Sequence, residues 1–235
     1  MESGTVAVVL ALTLACTGGM FLVIAQQIRG RSGMATFALG LSLFGLVFAV
    51  PAPIDQEAGL LLGVLIDGAA VAAVLLLRRG LQRFMHRDEL SWRALGLCVL
   101  AFAVLAVAAR LAFGDGARGI VLQLTLALLF GWLALTAGRE AHRDTPLLRV
   151  PLLLLAAVLA VLALLSLGNT VHDVMADSTQ AAAISDPFYD AVLMLAALLL
   201  GPTLLWMHTL QLTRQLAELA TRDPLTRLLN ENGLD

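Results

Sequence analysis

Seven stretches of the chain are apolar for long enough, and charged rarely enough, to cross a lipid bilayer as helices. They occupy residues 5–25, 34–50, 58–77, 90–113, 120–137, 147–167 and 188–210. A helix needs about 20 predominantly apolar residues to traverse roughly 30 Å of hydrocarbon. A spanning strand needs about half as many and alternates in polarity, which these stretches do not. Because lipid offers no hydrogen-bond partners, each segment must satisfy its own backbone, so the expected fold is all-α, a seven-transmembrane helix bundle. Composition agrees: 60% of residues are hydrophobic and 14% charged, against about 45–50% and 25% in soluble domains. The first stretch follows "MESG" without a basic segment and is longer than a signal-peptide core, so it is expected to stay as a span.

The basic residues orient the bundle. All fifteen are arginine, and thirteen fall on one side: Arg29, Arg31, Arg78, Arg79, Arg83, Arg87, Arg93, Arg139, Arg143, Arg149, Arg214, Arg222 and Arg227. Only Arg110 and Arg118 belong to the other. The positive-inside rule then puts the N-terminus outside and the C-terminus in the cytoplasm. The outer rim holds eight acids, Glu2, Asp55, Glu57, Asp115, Asp173, Asp177, Asp186 and Asp190, a topological consequence or an attractor for cations. Its longest loop, residues 168–186, is too short for a domain of its own. Any signal must therefore be small, lipid-like or carried by a partner within the bilayer, and nucleic acid is not expected.

Polar groups inside hydrocarbon are expensive and mark candidate sites. Asp67 is the clearest, near the middle of the third span. It is read either as a carboxyl satisfied within the bundle or as a ligand, ion or proton site. Arg110, Gln123, Tyr189 and Asp190 share a depth near the outer ends of their spans. They are candidates for an outward-opening pocket, with Arg110 suited to a carboxylate or phosphate. The competing expectation is an ion pair of Arg110 with Asp190 or Asp115. An Arg110–Asp67 pair is disfavoured by about two helical turns of depth. Cys16 and Cys98 lie inside spans and are expected to be packing residues. Trp92, Trp132 and Trp206 are expected near the cytoplasmic interface. With no lysine a retinal Schiff base is impossible, and no two histidines pair in depth for a haem. The absence of an internal repeat argues against a transporter.

The last span leads into a tail. Leu205, Thr209, Leu212, Leu216 and Leu219 recur at intervals of four and three, the spacing of a coiled-coil seam. Before it, Gly201-Pro202 marks a candidate hinge. The helix is expected to end near Asp223, since Pro224 disfavours helical geometry at the residue before it. There the sequence reads "RDPLTRLLN", and it resembles the opening of a GGDEF-type diguanylate cyclase domain, Asp-x-Leu-Thr-x-Leu-x-Asn-Arg. Asp223, Leu225, Thr226, Leu228 and Asn230 match by position, while Glu231 stands where that family has Arg and Arg227 where Gly is common. The resemblance implies a bacterial inner-membrane protein with a cytoplasmic cyclic-di-GMP output, which would bind GTP and Mg²⁺ and work as a homodimer.

The matching segment lacks the Gly-Gly-Asp/Glu-Glu-Phe turn and the metal carboxylates of that family. Gly18-Gly19, the one Gly-Gly pair, is followed by Met20. The chain alone is thus expected to have no cofactor and no cyclase activity. The division expected is a sensory domain over 1–210, a coiled-coil-like connector over 211–222 and the truncated start of a GGDEF-like domain over 223–235. Signal relay falls to Gly201, Pro202, Leu212, Leu216, Leu219 and Asp223. The alternatives are a seven-helix sensor for another output such as a histidine kinase, a truncated gene product, and a small transporter using Asp67.

Overall fold

The computed structural model describes residues 3–27, 33–50, 59–143, 146–175 and 186–220. Every element among them is helical: α1 (Ser3–Gln27), α2 (Met34–Ala49), α3 (Gly59–Phe84), α4 (Trp92–Phe113), α5 (Asp115–Arg143), α6 (Pro146–Met175) and α7 (Asp186–Ala220). Six are long and apolar enough to cross a membrane. The seventh, α2, has 16 residues, about 24 Å at the helical rise, and lies between α1 and α3.

Neighbours along the chain pair as antiparallel hairpins, and α7 returns to α1. Six helices thereby close a ring in the order α1, α2, α3, α5, α6, α7, while α4 lies outside it in the groove between α3 and α5. Burial follows this plan. The principal core fills the ring interior, and a smaller one, built on Val64, Val71, Leu75, Phe102 and Ala106, fastens α4 to α3 and α5.

Small residues let the first three helices approach. A Cβ at Gly45 would lie 3.0 Å from the Ala11 carbonyl, and one at Gly40 would lie 3.0 Å from that of Ala73. Without a hydrophobic force between helices in lipid, such close backbone packing supplies much of the association energy. Gly33 serves differently. It precedes α2 with φ 74°, a left-handed conformation that glycine adopts without steric cost.

At the arginine-rich end the α3–α4 loop is clamped by charge. Arg79 meets Glu89 at 2.9 Å, donates to the Leu90 carbonyl, and lies over the Trp92 ring. Arg87 meets Glu140 at 3.0 Å, and Arg78 covers Trp132. Cys16 and Cys98 are exposed. The packing role expected for them is therefore wrong: Cys16 lies on the outer face of the ring and Cys98 on an open face of α4, where an apolar sequence gives no inside-outside contrast.

Candidate functional site

Hydropathy places the start of the fifth span at residue 120, but α5 begins at Asp115. The added turn brings Arg118 into the helix and over α3. Its Nε lies 3.3 Å from Asp67 Oδ2, and the two side chains are only 17% and 7% exposed. Gly63, one turn before Asp67, makes the room: a Cβ there would collide with the Arg118 guanidinium. Asp67 is thus held beside Arg118 as an ion pair inside the α3–α4–α5 cluster.

The ring interior holds a second feature, in the acid-rich half. A cavity of about 80 Å³ is walled by Leu10 and Leu14 of α1, Phe44 and Phe48 of α2, Leu77 of α3, Leu126 and Phe130 of α5, Leu162, Leu165 and Ser166 of α6, and Leu193, Ala196, Ala197 and Leu200 of α7. All six ring helices contribute. The space exceeds the roughly 10–15 Å³ that one water requires, but its walls are apolar except for Ser166, fewer polar partners than a buried water usually has. Phe44 stacks on both Phe48 and Phe130, with centroids 6.4 and 6.3 Å apart, which stiffens one wall. Toward the arginine-rich face the interior closes on Phe37, Leu81, Leu133, Leu155 and Leu204, leaving a remnant of about 10 Å³.

Gln123 is not a wall residue of this cavity but stands one turn before it on α5. It lies three residues before Leu126 and seven before Phe130, the helical spacing of one side of α5. Its Oε1 is buried and has no hydrogen-bond partner among the described residues. Burying such a group costs about 1–3 kcal/mol.

The other sequence candidates separate. Arg110 is in the last turn of α4, outside the ring, and is half-buried with contacts of its own. Tyr189 and Asp190 fall in the first turns of α7, but their side chains lie outside the described residues. Gly201 is buried against Thr17 of α1, where a Cβ would come within 2.6 Å of Thr17 Cγ2. Pro202 is exposed within a helix that continues past it. Leu212 is half-buried and Leu216 is 67% exposed. The side chain of Leu219, and Asp223 with the motif it opens, lie outside the described residues.

Two further polar groups were not singled out as site residues by the sequence, where His208 was weighed only as a haem ligand. His208 is 3% exposed and, among the described residues, neither ring nitrogen has a partner, and the Gln211 Oε1 one turn on is likewise buried without one. Both continue the interior stripe of Leu200 and Leu204, at spacings of four and three, and that periodicity is the signal that would have found them.

No protein-family model matches the chain, no curated protein matches it, and no solved structure matches it. What can be said of function rests on this geometry and on the residues themselves: the chain is a multi-spanning, all-α membrane protein with an apolar cavity at the centre of its helix ring.

Proposed function

We propose that this chain is the membrane-embedded sensory module of a cyclic-di-GMP signalling protein in a bacterial inner membrane. Its N-terminus lies outside, and it controls a cytoplasmic diguanylate cyclase domain through a dimeric signalling helix. The observation that carries the reading is the continuity of α7. The helix that supplies Leu193, Ala196, Ala197 and Leu200 to the cavity wall runs unbroken to Ala220, three residues before the motif that resembles the start of the output domain. Its 35 residues span about 52 Å, some 20 Å more than the hydrocarbon requires.

A ligand entering the cavity would press on α7 within one turn of Gly201-Pro202, where the missing proline N–H weakens the helix against bending. The two packings of α7 would then present different connector geometries to the cyclase pair, a population shift set by the ligand's differential affinity. The ligand this reading calls for is small or lipid-like and largely apolar, as the cavity walls require. GTP and Mg²⁺ belong to the output domain.

The test is to continue the full chain in register with the remainder of an active GGDEF-type domain and to follow cyclic-di-GMP formation in membranes. Ala197→Phe, which fills the cavity, is expected to fix the output at one level. Leu212→Asp with Leu216→Asp is expected to abolish it. Output and regulation unaltered by the connector pair would overturn the relay.

A further inference from the structure

Between α5 and α6 an open groove of about 640 Å³ faces the lipid at the arginine-rich end of the bundle. We propose that it is a binding site for an anionic phospholipid of the leaflet on that side, with one acyl chain along the helix seam and the phosphate held by Arg139 and Arg143. The site is independent of the central cavity and of the output assigned above.

The floor is made of small side chains. Ala134, Gly138, Ala156 and Ala160 line it, so the two helices form a shallow trough where larger residues would form a ridge. A trough of this kind accepts a linear hydrocarbon. Its head end is cationic. Arg139 and Arg143 are four residues apart and thus neighbours on one helix face, and both are exposed. They stand in the last turns of a 29-residue helix, about 43 Å long, which carries them beyond the hydrocarbon to headgroup depth. His142 closes the edge, its Nδ1 donating to the Gly138 carbonyl at 2.8 Å.

The two guanidinium groups are also available. Among the described residues neither meets a carboxylate, whereas Arg79, Arg83 and Arg87 on the same face are all paired. Glu140, the acid next to them in sequence, is turned away to Arg87. Guanidinium groups match phosphate oxygens in geometry and need not be dehydrated as strongly as an ammonium. A small-residue trough also suits helix–helix contact with a second copy, but a two-fold interface centred there would set Arg139 and Arg143 against their own copies. Charge therefore favours the anionic lipid.

The experiment is native mass spectrometry of the full chain in detergent, titrated with phosphatidylglycerol or with phosphatidylcholine of the same acyl chains. Phosphatidylglycerol is expected to bind more tightly by roughly tenfold or more. Arg139→Gln with Arg143→Gln should erase that preference, while Ala157→Leu, on the exposed rim of the groove, should weaken both lipids. Arg93→Gln, which removes a charge from the same face away from the groove, should leave the ratio unchanged. Equal binding of the two lipids, or an equal loss with Arg93→Gln, overturns the proposal. So does a dimer that Ala157→Leu dissociates without altering lipid binding, since it assigns the groove to a second copy.

Discussion

Asp67 was conspicuous in the sequence because a lone carboxylate among apolar residues is costly wherever it points. Arg118 was not, because hydropathy sees only the apolar middle of a helix and is blind to the polar turn that precedes it. The resulting pair is largely removed from solvent, and removing one member weakens the stabilisation of the other charge. Arg118→Ala is expected to destabilise the protein by about 3–5 kcal/mol. Asp67→Asn combined with Arg118→Gln should cost clearly less than the sum of the two single changes. A double-mutant cycle on unfolding in detergent reads this coupling directly, and additive effects would show that the pair contributes nothing. His208 poses the opposite problem. A buried imidazole without partners lowers stability, and an apolar residue of similar reach relieves it. His208→Leu is expected to raise the melting temperature, since an apolar side chain leaves no buried polar group unsatisfied. A lower melting temperature would show that water or a ligand satisfies the ring.

At the level of the element, α7 runs as one helix through the positions of Leu212, Leu216 and Leu219, and their heptad spacing sets the expectation of a seam. What spacing alone does not reveal is which side of that helix is left open. Leu216 is 67% exposed on a helix that by length has left the hydrocarbon, an arrangement that costs free energy unless a second helix covers it. Cys16 and Cys98 are exposed to lipid, so changing both to Ala is expected to alter stability by less than about 0.5 kcal/mol and provides a cysteine-free background. Single cysteines at positions 212 and 216 should then cross-link between copies in membranes, and one at Thr213 should not. Uniform cross-linking across the three positions would indicate collision between monomers and remove the dimeric seam. The cavity was illegible for a related reason. Its walls come from six helices, and no local pattern records which apolar stripes face the same empty space.

At the scale of the whole molecule the fold separates two tasks. The ring of six helices encloses the cavity, and the satellite α4 leaves Leu97, Leu100, Val104, Leu105 and Leu111 largely exposed to lipid, so its loss of contact with the ring would not open the interior. The polarity of the bundle is where the functional reading is most exposed to test, since a cyclase domain must meet GTP, and α7 must therefore end in the cytoplasm. Thirteen arginines on one face argue for that through the charge rule, and the hairpin geometry ties every helix to the same choice. Val174, 66% exposed near the end of α6, should lie outside, and the exposed Asp88 in the α3–α4 loop should lie inside. In the cysteine-free background, Val174→Cys is expected to react with a charged, membrane-impermeant maleimide on intact cells. Asp88→Cys is expected to react only after permeabilisation. The reverse pattern would place the C-terminal end of α7 outside the cell, away from GTP, and the signalling function would fall while the bundle, its cavity and the Asp67–Arg118 pair would stand.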